Sequence, residues 1–294
     1  MKKSTLMMTV CLILSLSCSK KAMEEVPASN GKKVKLDFSV DRAASTTDGQ
    51  VSNQTLPLSS LMTQLTFVIF ASETHTEVAR QTQFSTDPQF GQLSFELPVA
   101  QYQVVAIGSK SEFGINKFFR NNDTPVLLPL EEANMQYWQP NSSMADKHYK
   151  TDDTFFARLS ITVDDPQQIT MELQRIVGKL EVIVEDLENF TVDVDNEATG
   201  FIFASESSFG TIDNDQYTIS NANGPISIYI LRTDKPLAIE ISYGNAVSQK
   251  RRMHVPIYKN KRTIVRGKMF NPVVNSFSVT VNDKWIPEPE LVNF

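Results

Sequence analysis

The chain has little cysteine, glycine and histidine, and each shortage argues against a class of site. Its 294 residues include two cysteines, Cys11 and Cys18, so the rest of the chain can form no disulfide and no thiolate metal site. The eleven glycines form no GxGxxG, GxxxxGKS/T or GxSxG motif, which argues against a nucleotide-phosphate cradle and an α/β-hydrolase. His75, His148 and His254 lie too far apart in sequence for an HxH or HExxH metal pair.

Long apolar runs and an excess of basic charge are also missing. Hydrophobic residues make up 41% of the chain and charged residues 21%, a balance typical of globular proteins. The formal net charge is -6, so the chain lacks the basic field that general nucleic-acid binding needs. No nucleophile–base pair is recognisable in the sequence. We therefore predict that the protein is no enzyme, takes no cofactor and binds no metal or nucleic acid.

The N-terminus has the pattern of a secretory signal. A lysine pair follows Met1, residues 6–16 are mostly apolar, and the small residue Ser17 precedes Cys18. The apolar run is shorter than the roughly 20 residues that span a bilayer. A cysteine at this place is similar to the lipobox of Gram-negative lipoproteins, with cleavage between Ser17 and Cys18, removal of residues 1–17 and lipid on Cys18. The alternative is an ordinary secretory signal whose apolar region ends in cysteine.

Alternating strands dominate the rest of the chain. Residues 18–32 are polar and predict a lipidated tether. Four apolar residues then alternate with polar ones from Val34 to Val40, as in a half-buried strand. Similar short strands recur about every ten residues, and no long amphipathic helix is present. Residues 109–153 lack this alternation and are predicted to be loop-like. The sequence predicts an all-β protein with two β-sandwich domains, at residues 33–174 and 175–294.

Two polar segments are candidate sites, each with a simpler alternative. Residues 146–149, with Asp152 and Asp153, could hold a cation or supply acid–base groups, or form a solvated loop. The segment 250–268 carries eight lysines and arginines and could meet anionic headgroups or an acidic partner. The simpler reading of this basic segment is the charged outer face of a hairpin, which protects a sheet edge.

Several segments together resemble the fimbrillin-like family of type V pili. Their order and spacing cover nearly the whole mature chain. The segments that carry the resemblance are the Cys18 signal, LTFVIFA at Leu65–Ala71, LSFELPVAQYQVVAIG at Leu93–Gly108, DTFFA at Asp153–Ala157, LQRIVGKLEVIVEDL at Leu173–Leu187 and FSVTVNDKW at Phe277–Trp285.

The resemblance implies two transthyretin-like β-sandwich domains in a pilus subunit that assembles by strand exchange. In that family, lipidated precursors reach the outer membrane, and a trypsin-like protease removes the first strand of polymerising subunits. The groove that remains accepts a C-terminal strand of the next subunit. The expected partners are therefore other pilus subunits, by β-strand complementation, and the outer membrane, through lipid on Cys18. Arg42 follows the first strand and is the candidate cleavage site, or simply one arginine in a loop.

The role of the subunit within the pilus is less constrained. Anchor subunits of the family keep their first strand and their lipid. Pro287 and Pro289 lack the N–H groups of a central donor strand, so the tail is a poor donor and Val273–Val281 a better one. These features favour an anchor, tip or accessory subunit over a stalk subunit. The alternative is a surface lipoprotein that binds glycan or another nutrient through aromatic residues such as Tyr137 and Trp138.

Overall fold

A computed structural model describes residues 31–42, 57–116, 127–137, 150–213, 215–219, 225–244, 246, 249–270 and 277–282. In these ranges the regular structure is β-strand apart from one short helix, which confirms the all-β prediction. The helix α1 (Leu58–Leu61) is a single turn after Pro57. The strands in chain order are β1 (Lys33–Arg42), β2 (Gln64–Ala71), β3 (Glu77–Phe84), β4 (Gln92–Pro98), β5 (Ala100–Ser109), β6 (Phe113–Ile115), β7 (Asn134–Tyr137), β8 (Thr154–Val163), β9 (Gln167–Arg175), β10 (Gly178–Val184), β11 (Phe190–Asp195), β12 (Gly200–Ile202), β13 (Ser207–Phe209), β14 (Asp215–Ile219), β15 (Ile226–Ile230), β16 (Leu237–Ser242), β17 (Lys250–Val255), β18 (Arg262–Gly267) and β19 (Ser278–Asn282).

The largest sheet has seven strands and bends over on itself to form the first sandwich. Its order is β3-β2-β5-β8-β9-β1-β4, and the bend lies between β8 and β9, which pair only where Phe155 and Phe156 meet Arg175 and Gln174. One layer therefore contains β3, β2, β5 and β8, and the other contains β9, β1 and β4. The inward side chains of both layers form one buried apolar core.

Both faces of β2 and β5 are buried, which explains their nearly continuous apolar sequences. Leu65, Phe67 and Ile69 face the core of the first sandwich. Val68 and Phe70 face a second core on the other side of the same layer. Since successive side chains of a strand point to opposite faces, a strand between two cores needs apolar residues at every position.

A small four-stranded sheet, which we call the third sheet, has the order β13-β12-β7-β6 and covers that second core. Two of its strands, β6 and β7, lie in residues 109–153, which we predicted to be loop-like. That prediction is wrong at these two strands. They are only three and four residues long, too short to show a clear alternation. The sheet joins β7 to β12 and so combines strands from both sides of the predicted domain boundary.

Two four-stranded sheets enclose a third core and form the second sandwich. Their orders are β15-β10-β18-β19 and β14-β11-β16-β17. Alternate residues of β10, β11, β15 and β16 supply most of the core. β10 pairs in parallel with β18, from Lys179 opposite Arg262 to Val184 opposite Gly267. The division of the chain into domains at residues 174 and 175 stays a prediction.

Candidate functional site

The strand β1 is an inner strand of the first sandwich, and its surroundings define the candidate site. It pairs antiparallel with β4 on one side and parallel with β9 on the other, seven register pairs each. Val34, Leu36, Phe38 and Val40 point into the core and are at most 9% exposed. Without β1, the layer would have a gap between β4 and β9 and an open apolar groove beneath it. We call this space the β1 groove.

Phe38 lies at the centre of the β1 groove. Its ring centroid is 5.5 Å from that of Phe67 and 5.8 Å from that of Phe95, the second contact in an edge-to-face geometry. Near the end of β1, the N–H of Val40 donates to the carbonyl of Gly91 at 2.9 Å. Gly91 has φ +90°, and a Cβ there would lie 2.6 Å from the Leu58 side chain, so α1 packs tightly against this end of the groove.

The outer face of β1 is polar and hydrogen-bonded to its neighbours. The Ser94 hydroxyl donates to Asp37, and the ammonium of Lys35 lies 2.9 Å from the same carboxylate. These contacts, the Ser94 bond first, hold the pKa of Asp37 below its ordinary value. The hydroxyls of Ser39 on β1 and Thr170 on β9 are 3.1 Å apart. Side chains on both faces therefore fix β1 in its register.

The predicted processing residues lie at or beyond the ends of the described chain around β1. Arg42 is the last residue of β1 and pairs with Leu173, so it belongs to the strand rather than to the loop after it. Whether it is cleaved stays a prediction. Ser17 and Cys18, with the tether up to residue 30, lie outside the described residues. Lipidation at Cys18 likewise stays a prediction.

The acidic candidate cluster is not a cation site where the structure describes it. Residues 146–149 lie outside the described part of the chain. Asp153 is buried and accepts two hydrogen bonds from the guanidinium of Arg175, at 2.6 and 3.0 Å. Arg175 also donates to Asn260 at 2.9 Å and lies over the Phe155 ring. Both readings of Asp153 from sequence are therefore wrong, because it is half of a buried ion pair.

Tyr229 is partly buried near this ion pair, which makes stability at alkaline pH testable. Burial raises the pKa of Tyr229 to about 12, and the nearby charges of Asp153 and Asp152 add to the effect. The folded state thus holds this proton more strongly than the unfolded state. The resulting stabilisation is complete below pH 10 and is lost as the pH rises towards 12.

We expect the Tyr229→Phe variant to lose less stability than the wild type between pH 10 and 12. The free energy of unfolding, measured in urea across this range, tests the expectation. Tyr258, which is 47% exposed, offers Tyr258→Phe as the matched control for the loss of a tyrosine hydroxyl. Identical profiles for the wild type and the Tyr229 variant would contradict the assignment.

Tyr137 cannot form a sugar-binding platform. It is fully buried, and its hydroxyl lies 3.0 Å from that of Ser109 and donates to the carbonyl of Asp152 at 3.3 Å. Burial raises the pKa of its phenol. The second proposed platform residue, Trp138, lies outside the described residues. The glycan-binding alternative therefore loses one of its two named rings to core packing.

The basic segment 250–268 is divided among several ion pairs instead of forming one positive surface. On the outer face of β17, Lys250 pairs with Glu240 on β16 and Arg252 with Asp195 on β11. The Glu240 hydrogen bond raises the pKa of Lys250. Arg262 is buried beside Glu181, whereas Arg266 and Lys268 share Glu185. This arrangement agrees with the simpler reading, charged faces of paired strands.

The fold is that of a β-sandwich protein whose first strand is buried between two others, and comparison with known proteins gives the family. The model of the fimbrillin-A associated anchor proteins Mfa1 and Mfa2 matches residues 23–288. The chain belongs to this family, so it is an anchor or structural subunit of a fimbrium and acts with other fimbrial subunits at the cell surface. The family is a structural class and not an enzyme class. A search of the curated proteins finds no match.

Several solved structures are similar to this chain. A candidate polysaccharide-binding protein of Bacteroides thetaiotaomicron has a TM-score of 0.54 at 12% identity, covering 86% of this chain and 96% of its own. A candidate adhesin of the same species has 0.51 at 11%, covering 85% and 95%. The fimbrial anchor protein Mfa2 from Porphyromonas gingivalis has 0.49 at 8%, covering 85% and 98%. In the described residues, no helix is long and apolar enough to cross a membrane.

Proposed function

We propose that this protein is a lipid-anchored fimbrial anchor subunit that keeps its first strand. Lipid on Cys18 holds it in the outer membrane, and other pilus subunits bind it by β-strand complementation. The mature chain begins at Cys18, and residues 18–32 are the tether. Fully extended, the chain from Cys18 to Lys33 spans about 50 Å, enough to hold the sandwiches away from the bilayer surface.

The observation that carries the anchor role is the burial of β1. Four of its side chains are at most 9% exposed in the β1 groove. Burial of one such side chain contributes about 1.5–3 kcal/mol, so the four together contribute about 6–12 kcal/mol. This is similar to the whole stability of a typical domain, about 5–15 kcal/mol. A chain that lost β1 would need a replacement strand at once, whereas a chain that keeps it is complete.

Proteolysis of the full chain tests whether β1 is kept. We would treat the lipidated protein with an arginine-specific protease, read the new N-termini and measure the size distribution in SDS. The proposal predicts a lipid-bearing monomer in which residues 33–42 stay attached. The Arg42→Ala variant is the control and should behave identically. A single cut after Arg42 in the wild type, followed by SDS-resistant ladders, would instead identify a polymerising stalk subunit.

Membrane attachment needs its own test because it depends on one atom, the sulfur of Cys18. Cells fed a radiolabelled fatty acid should label the wild-type protein, which should fractionate with the outer membrane. The Cys18→Ala variant should lose both the label and the membrane association. Cys11→Ala, a change within the signal, is the matched control and should retain both. An unlabelled wild-type protein would favour an ordinary secretory signal.

A further inference from the structure

Under the proposed function β1 fills its own groove, so a strand from another subunit has to pair at the outer edge of a sheet. Most end strands of the two sandwiches are poorly suited to this. The core-facing side chains of β4 and β15 are all buried, namely Leu93, Phe95, Leu97, Ile226, Ile228 and Ile230. The end strand β3 exposes Val78 and Phe84, but Arg80 lies between them and pairs with Glu77 at 2.6 Å. Charges of this kind protect a sheet edge against further pairing.

The end strand β19 differs because its core-facing side chains are half exposed. It pairs with β18, so that Val279 lies opposite Val265 and Val281 opposite Thr263. Paired residues share a face, and Val265 and Thr263 are fully buried. Yet Val279 is 41% exposed and Val281 39%. The strand reads SVTVN, with neither a charge nor a proline to discourage pairing.

The direction of the backbone hydrogen bonds shows that β19 also offers polar backbone groups. The carbonyl of Lys261 accepts a bond from the N–H of Lys179 on β10 at 3.0 Å, so odd-numbered residues of β18 point towards β10. Even-numbered residues of β18 then bond to their partners in β19, which are also even-numbered. The N–H and C=O groups of Val279 and Val281 consequently point outwards, where the described residues place no further strand. We call these backbone groups and the two valine side chains the β19 edge.

Positive charge lies at one end of the β19 edge. Arg266 is the register partner of Ser278, the first residue of β19. Arg266 and Lys268 both contact the carboxylate of Glu185, at 3.4 and 3.9 Å, and both side chains are 52% exposed. The neighbouring carboxylate of Asp186 accepts two backbone N–H groups instead. Two exposed cations thus share one carboxylate, and a further acidic group beside them would be favourable.

We propose, on the basis of the function above, that another fimbrial subunit adds its strand at the β19 edge. The added strand runs antiparallel to β19, the slightly more stable pairing. Its apolar residues alternate and cover Val279 and Val281, and an acidic residue on its outer face meets Arg266 and Lys268. A second copy of this chain fits less well through its own β19, since SVTVN contains no acid. Strand complementation therefore takes place on the second sandwich and leaves β1 in its groove.

Two synthetic peptides test the β19 edge on the full chain. In both, valine alternates with threonine, and the C-terminal residue is glutamate in one and lysine in the other. We expect the glutamate peptide to bind at least about tenfold more tightly. The combined changes Arg266→Glu and Lys268→Glu should reverse this preference, which a loss of fold would not do. Equal binding of the two peptides, or binding of neither, would overturn the proposal.

A charge placed on the β19 edge gives a second readout. Val279→Lys should abolish binding of both peptides, whereas Val78→Lys, the matched change of a 45% exposed valine on β3, should leave binding unchanged. Peptide binding that survives Val279→Lys would overturn the proposal. So would binding only to a chain that ends at Asn282, since the chain's own C-terminal residues would then cover the edge. Wild-type dimers that Val279→Lys dissociates would assign the edge to a second copy and overturn it too.

Fimbriae on intact cells test the identity of the partner. The Val279→Lys protein should keep its fatty-acid label and its place in the outer membrane but release fimbriae into the medium, and Val78→Lys should keep them attached. Fimbriae that stay attached to the Val279→Lys protein would overturn the proposal. A wild-type protein that lacks the label, or is cut after Arg42, would instead contradict the proposed function. Peptide binding on the second sandwich would be unaffected, so the two failures are distinguishable.

Discussion

Replacing Phe38 with alanine is expected to lower the free energy of unfolding by about 3–5 kcal/mol. The side chain is 2% exposed and contacts the rings of Phe67 and Phe95, so its loss leaves a cavity that the two flanking strands cannot close. Because Phe38 is the central residue of β1, the variant should also loosen this strand first. Urea denaturation of the full chain gives the free energy, and hydrogen exchange of residues 33–42 locates the loss.

Phe84 is the matched control for this change. It is also a strand phenylalanine, but it is 51% exposed on the end strand β3. Phe84→Ala removes the same atoms and should cost less than about 1 kcal/mol, as surface substitutions usually do. Similar losses for the two variants would mean that β1 is less firmly packed than its burial indicates. The β1 groove would then be a poor basis for an anchor that keeps its strand.

Replacing Asp153 with alanine is expected to cost about 3–5 kcal/mol, because it leaves the guanidinium of Arg175 buried without its carboxylate. The side chains of Arg175 and Asp153 are only 5% and 8% exposed. The pair joins the start of β8 to the end of β9, and its bond to Asn260 reaches the turn before β18. Urea denaturation followed by circular dichroism is the measurement, with the midpoint and slope reported together.

A double replacement separates the ion pair from its packing. Asp153→Leu with Arg175→Met fills the same space without charge and should recover most of the loss, since apolar residues of similar volume often replace buried ion pairs at little cost. A single Asp153→Ala variant with less than about 1 kcal/mol of destabilisation would contradict this account. It would mean that water reaches the guanidinium once the carboxylate is removed.

The sequence predicted the fold class because alternation is strong wherever a strand covers one core. It failed where strands are short or carry few apolar residues. β3 reads EVARQTQF and β13 has three residues, so neither shows a clear pattern. β17 covers Lys250–Val255 and begins with three basic residues. The third sheet could not be foreseen, since its strands come from distant parts of the chain and each is only three or four residues long.

The candidate site was predictable in part. The alternation from Val34 to Val40 correctly gave β1 as a strand, and the resemblance correctly gave the family. The position of β1 between β4 and β9 could not be read from the sequence, because pairing partners depend on the whole topology. The ion pair between Asp153 and Arg175 spans 22 positions, and charge alone gave no sign of it. The sequence also did not show that part of Val273–Val281, the proposed donor segment, pairs with β18 of its own chain.

The pairing of β1 has a mechanical consequence for a subunit held at one end. If lipid on Cys18 anchors the chain as proposed, a pull that enters at Lys33 acts along the axis of β1. Its seven pairs with β4 and seven with β9 lie across that axis and carry the load together, in shear. A strand pulled from its side would instead lose one bond after another. The first sandwich therefore resists tension best along the axis of β1.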